Sequence, residues 1–185
     1  MLWGFDAQTD HNFEIVIADD GSREDTRQLI ERFASGTDRP VQHIWQADDG
    51  FQKCRILNKA IVAARGDYLI LTDGDCIPRR DFVSVHRANA EPGCFLSGGY
   101  FKLPMSISQS ITREDVESGR CFSKAWLLGQ GMPRKTNFMK LTVKPWAEHW
   151  FNRFTPTKST WNGHNASGWK SDAITVNGFD ERLQY

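Results

Sequence analysis

The residues with most chemistry to offer are the two acids of Asp73-Gly74-Asp75, which close the apolar run Tyr68-Leu69-Ile70-Leu71-Thr72. Four apolar residues in a row, with Gly66-Asp67 before them and Pro78 after, predict a strand buried on both faces. In extended chain, residues two apart point to one side and stand about 6–7 Å apart. Asp73 and Asp75 are therefore expected to converge at the carboxyl end of that strand, with Gly74 letting a ligand approach the backbone. Two like charges held beside an apolar core are unfavourable unless one is protonated or a cation lies between them. A divalent cation that keeps positions open for phosphate oxygens meets that need. Asp-Gly is also ordinary turn chemistry, and it is the strand ahead of it that favours a ligand site. A second acidic cluster, Asp19-Asp20-Gly21-Ser22, ends a second apolar run, Phe13 to Ala18.

The elements that position these acids are legible from pattern. Ser22 and Asp25 form an S-x-x-D capping pattern ahead of Thr26, Leu29, Ile30 and Phe33 at helical spacing, closed by Gly36 and Pro40. Val41 to Gln46 predicts a third strand. After Asp48-Asp49-Gly50 comes a helix with Ile56, Leu57, Ala60, Ile61 and Ala64 on one face, stopped by Gly66 as a left-handed C′ residue. Pro78 sits where a helix starts, continued by Phe82, Val85, His86 and Asn89. Residues 94–103 predict a further strand, where Gly98-Gly99 marks a bulge or a close backbone approach. Alternating strands and helices imply an α/β layered fold with a largely parallel sheet, whose ligands bind beyond the carboxyl ends of the strands. Both acidic clusters fall there. Residues 1–12 read as the tail of an element that begins upstream. One or two helices are expected between Ser106 and Gly129, and a loop, a short helix and a turn from Gly163 to Tyr185. Between Met132 and Thr160, Arg134, Lys135, Lys140, Lys144, Arg153 and Lys158 interleave with Phe138, Trp146, Trp150, Phe151 and Phe154. That segment is either a solvated basic face with its aromatics turned inward or an interfacial surface.

Composition narrows the class. The 185 residues are 39% hydrophobic and 25% charged, as in an ordinary globular domain. Lys plus Arg equals Asp plus Glu at 23 each, so net charge gives no support to nucleic acid as a partner. No apolar run approaches the roughly 18 residues of a membrane span, and no signal peptide is visible. Cys54, Cys76, Cys94 and Cys121 show no CxxC spacing, so reduced thiols in the cytoplasm are expected. His11, His43, His86 and His149 read as ordinary satisfied or surface histidines.

At this point the motifs resemble a known family. Ile17-Ala18-Asp19-Asp20-Gly21-Ser22 resembles the V-x-D-D-G-S segment of family-2 glycosyltransferases of the GT-A fold. Asp73-Gly74-Asp75, followed by Pro78 and Asp81, is similar to their D-x-D metal motif. Asp49-Gly50-Phe51 with Arg55 and Asn58 resembles the D-x-G-F…N-x-A helix of the polymerase-like and galactosyltransferase-like subgroup. Gly163-His164-Asn165-Ala166-Ser167 and Asn177-Gly178-Phe179-Asp180-Glu181 are similar to its G-x-N-x-S … G-F-D-E signature.

The resemblance implies a GT-A (Rossmann-like) α/β/α sandwich with a mostly parallel central sheet. It implies one domain over 1–185, with residues 1–103 as the nucleotide-sugar-binding half and 104–185 as an incomplete acceptor-side half. Asp19 would accept a hydrogen bond from the donor's base, with Asp20 beside it. Arg55 would approach the nucleotide or its phosphates, and Asp73 the ribose or donor sugar. Asp75, with Asp73, would hold Mn²⁺ or Mg²⁺ bridging the diphosphate. His164 and Asn165 would line the acceptor side. The implied partners are a nucleotide-diphosphate sugar and a glycan or lipid-linked acceptor, at a cytoplasmic location with peripheral contact at the inner membrane face. The family's first strand and the E-D pair beyond G-F-D-E, which would supply the general base, have no counterpart between Met1 and Tyr185. Asp180 and Glu181 read as turn residues and not as that base. Two alternatives accompany this expectation: a nucleotide-sugar-binding fragment without turnover, and a D-x-D phosphohydrolase, against which Ile77 stands at the position that class gives to Thr. The first strand would lie between the Phe13–Ala18 and Tyr68–Thr72 strands, so this chain is expected to close those strands on each other or leave an open edge, and to be marginally stable.

Overall fold

The computed structural model describes residues 1–142 and 160–183. The elements run α1 (Leu2–Asp6), β1 (Ile15–Asp20), α2 (Glu24–Gly36), β2 (Val41–Gln46), α3 (Lys53–Ala63), β3 (Tyr68–Leu71), α4 (Phe82–Ala88) and β4 (Leu96–Ser97). They continue with α5 (Met105–Ser110), α6 (Arg113–Glu117), a 3₁₀ turn (Arg120–Phe122), α7 (Lys124–Gly129), α8 (Met139–Thr142), β5 (Ala166–Trp169) and α9 (Lys170–Thr175). Strands β1 and β2 pair in parallel from Ile15 opposite Val41 to Asp20 opposite Gln46. The other described strands form a second, antiparallel sheet in the order β3-β5-β4.

The α/β class stands, with two differences in the sheet. The parallel part is the β1–β2 pair, and β1 and β3 belong to different sheets, so they do not close on one another. Strand β5 falls where a loop is expected. Its sequence, Ala-Ser-Gly-Trp, carries little β propensity, and pairing holds it: the Lys170 amide donates to the Asp67 carbonyl at 2.8 Å.

The chain forms two compact units interleaved in sequence. One comprises Asp10–Ile70, His86–Phe95 and Ser167–Tyr185. Here Ile56, Ala60 and Ile61 put one face of α3 into the core, each large aliphatic contributing about 1.5–3 kcal/mol by burial. Glu14 ties off the end of that helix, accepting from the Arg65 and Gly66 amides and from Gln42 Nε2. These carboxylate bonds do the work expected of a left-handed Gly66, whose φ is not positive. The Ser22 cap is likewise replaced: α2 begins after Arg23 with no side-chain cap. Strand β3 is half-buried throughout, not sealed on both faces.

The other unit comprises Met1–Thr9, Leu71–Val85 and Leu96–Ala166. Ile107, Leu127, Met132 and Phe138 form its core, with Phe101 stacked on Phe138 at 5.7 Å. Residues 1–12 begin with a helix of their own. Its packing leaves no room for a side chain at Gly4, where a Cβ would lie 2.7 Å from Pro78 Cδ. Pro78 thus packs as a wall, and the helix after it starts only at Phe82. The expected strand over 94–103 shrinks to two residues, but the close approach at Gly98 is real: the Asn165 side chain fills the space a Cβ would need. Between Ser106 and Gly129 three short helices and the 3₁₀ turn replace the one or two expected. Thr112 and Asp115 close a capping box on α6. Most of the basic, aromatic stretch, including Lys144, Trp146, His149, Trp150, Phe151, Arg153, Phe154 and Lys158, lies outside the described residues.

Candidate active site

In the unit built on β1, the Asp-Asp-Gly-Ser motif is a hydrogen-bonded loop mount. Both acids belong to the strand itself. Asp19 has a side chain only 3% exposed; Oδ1 accepts from the Ser22 amide at 2.8 Å and Oδ2 meets His43 Nε2 at 2.7 Å. Burial opposes its ionisation, but the bonds from Ser22 and His43 outweigh burial and hold the carboxyl below its ordinary range. Asp20 points to the other face of the sheet. It accepts from Gln46 Nε2 at 2.6 Å and from the Gln52 amide at 2.7 Å, joining the end of β2 to the start of α3. Gly21 has φ +89, and a Cβ there would lie 2.6 Å from Asp48 Cα, so only glycine lets the two loops meet. Asp48 turns its own loop by accepting from the Gly50 amide. Arg55 follows on the first turn of α3, exposed, and its guanidinium has no partner among the described residues.

Asn58, one turn beyond Arg55, is a clamp that spacing did not reveal. Its Oδ1 accepts from the Phe179 amide at 2.8 Å, and its Nδ2 donates to the Phe179 carbonyl and to Glu181 Oε1 at 2.9 Å each. Two motifs over a hundred residues apart are thereby joined. Asp180 pairs with Arg182, which holds its carboxyl near 2. Asp180 and Glu181 are thus engaged as turn residues.

In the other unit, Asp73-Gly74-Asp75 is a tight turn and not an extended continuation of β3. The Cys76 amide donates to the Asp73 carbonyl at 3.1 Å. The same-side placement expected from strand geometry does not apply, because the chain leaves the sheet at Leu71. Asp75 and Gly74 are exposed, and nothing lies within 4 Å of a Cβ built on Gly74. Burial, then the Asp75 and Asp73 charges, push the Cys76 thiol up, so it stands protonated and donates weakly to Asp75 Oδ1 at 3.7 Å. Gln8 fixes the segment that follows: its amide donates to the Gly4 and Arg79 carbonyls and accepts from the Val83 amide. Among the described residues no three His, Cys, Asp or Glu side chains gather into a cage. Two hard carboxylates on an open turn fit Mg²⁺ or Mn²⁺, which take few protein ligands and leave the rest to phosphate and water.

His164 and Asn165 also belong to this unit. Asn165 Nδ2 donates to the Gly99 carbonyl at 3.0 Å, and its own carbonyl accepts from the Gly98 amide. The His164 ring meets Tyr100 edge-on at 4.7 Å.

Residues 2–98 match Glycosyl transferase family 2. The chain belongs to that family. Its α/β architecture is the GT-A fold the family implies. Three relatives are longer proteins named as synthases or transferases. Chondroitin synthase of Pasteurella multocida (strain Pm70) is 30% identical over 193 residues, 85% of this chain and 19% of that protein. Hyaluronan synthase of Pasteurella multocida is 32% identical over 71 residues, 38% of this chain and 7% of that protein. An undecaprenyl-phosphate 4-deoxy-4-formamido-L-arabinose transferase of Pseudomonas syringae pv. syringae (strain B728a) is 35% identical over 68 residues, 37% of this chain and 20% of that protein. The chain spans a fifth or less of the length of each. Among the described residues no helix is long and apolar enough to cross a membrane.

Proposed function

We propose that this chain is the donor-binding domain of a glycosyltransferase that moves a sugar, with inversion, from a nucleotide-diphosphate sugar to an acceptor hydroxyl. The observation that carries this is the family match over residues 2–98 together with an acidic pair at the end of β1 and another in the turn after β3. Asp75 and Asp73 would hold Mn²⁺ or Mg²⁺, which when bound stabilises charge on the departing diphosphate. Arg55, an exposed cation whose guanidinium has no partner among the described residues, would approach a phosphate oxygen. Asp19 and Asp20 shape the donor loop. His164 and Asn165 belong to the acceptor side.

The names of the relatives support a role in cell-surface polysaccharide or glycan synthesis, with a glycan or lipid-linked acceptor. The reading extends to a cytoplasmic domain that meets the inner membrane face peripherally, supported by the basic and aromatic composition from Arg134 to Lys158.

The test is to incubate the chain with a panel of nucleotide-diphosphate sugars and glycan acceptors, with and without chelator, and follow nucleoside diphosphate release together with the glycosylated acceptor. Metal-dependent release, with inverted configuration at the transferred carbon, is expected. Chelator-insensitive release, or hydrolysis of simple phosphomonoesters instead, would overturn the reading.

A further inference from the structure

The contact between Asp19 and His43 fixes where the protons of the imidazole lie. An ionised carboxylate only accepts hydrogen bonds, so His43 Nε2 carries the proton it shares with Asp19. In the neutral ring the lone pair then sits on Nδ1, and Nδ1 has no partner among the described residues. His43 is 18% exposed while the carboxylate behind it is nearly sealed. The group offered to a ligand on this face of β2 is therefore the histidine, not the acid.

Trp45 stands beside it. Residues two apart on a strand share a face and lie about 6–7 Å apart. The parallel register sets Ile17 opposite His43 and Asp19 opposite Trp45. The indole is 53% exposed yet anchored, with Nε1 donating to the Ser22 carbonyl at 3.1 Å. An aromatic plane held at one edge thus adjoins a ring acceptor, near the carboxyl end of a parallel strand pair, where sheets of this class bind ligands.

We propose that Trp45 and His43 read the nucleobase of the donor, the indole stacking on the base and His43 Nδ1 accepting its ring N–H, with Asp19 as a positioning residue acting through His43. The inference rests on the glycosyltransferase reading for the presence of a nucleotide. It reassigns to His43 the base contact that the family resemblance gives to Asp19. It also selects a chemical class: uracil and guanine carry a ring N–H flanked by a carbonyl, whereas cytosine and adenine carry a lone pair there. Against those bases two acceptors would face each other and neither would be satisfied.

The experiment is calorimetric titration of the full chain with UDP, GDP, CDP and ADP at fixed Mg²⁺. UDP or GDP is expected to bind at least about tenfold more tightly than CDP and ADP. His43→Ala should reduce that ratio to below about threefold, by weakening UDP and GDP and relieving the acceptor–acceptor opposition met by CDP and ADP. His43→Gln should keep most of it, because its amide can donate to Asp19 and accept from the base. Trp45→Ala should weaken all four by about tenfold without changing the ratio. Equal binding of all four by the native chain, or an unchanged ratio in a natively melting His43→Ala, would overturn the inference and leave the glycosyltransferase reading standing. Should the alanine variant not fold, the glutamine variant decides: loss of selectivity in it counts against the assignment. No binding of any nucleoside diphosphate would overturn both.

Discussion

Two acidic pairs, one closing β1 and one in the turn after β3, share a sequence pattern and are physically opposite. Asp19 and Asp20 are each bonded on both oxygens, to Ser22, His43, Gln46 and Gln52. Asp75 is exposed and meets a protonated thiol at 3.7 Å. The glycines differ in the same way. Gly21 sits at φ +89 with another loop against it, whereas nothing crowds Gly74. Asp19 and Asp20 are thus part of the scaffold, their oxygens satisfied by neighbouring amides and an imidazole, whereas Asp75 stands on an exposed turn.

The largest effects should come from breaking the β1 turn. Gly21→Ala forces a strained φ and a clash with Asp48 backbone, together about 2–4 kcal/mol. Gly74→Ala should leave stability within about 0.5 kcal/mol. A pair of thermal melts checks the contrast, and equal shifts would abolish it. Asp19→Ala leaves the Ser22 amide and the His43 ring without their acceptor, at about 1–3 kcal/mol for each group left buried. Denaturant unfolding measures it.

The β3 turn should behave the other way round. Asp75→Asn is expected to keep the melting temperature and to weaken Mn²⁺-dependent binding of a nucleoside diphosphate by at least about tenfold, near 1.4 kcal/mol. Asp180→Asn, at a turn carboxylate paired with Arg182, should leave that binding unchanged. Calorimetry on both variants sharpens the difference, and equal losses would remove the metal assignment.

A smaller effect concerns pH. Asp19 titrates below its ordinary value of 3.8 in the folded chain. Its contribution to stability is therefore fully present above that value and is lost as the pH falls through the lower, folded one. Acid titration followed by circular dichroism should show a shallower loss below pH 4 in Asp19→Asn than in the native chain. Parallel curves would mean that Asp19 is not linked to folding.

Much of this could be read from residue order. The β1, α2, β2, α3 and β3 elements were legible because apolar periodicity is a local signal: Ile56, Ala60 and Ile61 mark the buried face of α3 by spacing alone. The family also followed from motifs, and the match over residues 2–98 bears it out. Strand β5 was not legible, because Ala-Ser-Gly-Trp is a strand only where it pairs between β3 and β4, with the Lys170 amide donating to the Asp67 carbonyl just past its end and the Asn165 carbonyl accepting from the Gly98 amide just before its start. Nor was the turn at Asp73, where a backbone bond from Cys76 ends the extended chain that alternation assumed.

The amino-acid sequence by itself determined the class of fold, the family, and which carboxylates stand at strand ends, since these depend on the order and type of neighbouring residues. Only the tertiary structure decided what each carboxylate does. Asp19 meets His43 across 24 positions, and Asn58 meets Phe179 across 121. Partners so distant along the chain leave no periodic trace in it, yet hydrogen bonds over less than 3 Å determine which acids are spent on the scaffold.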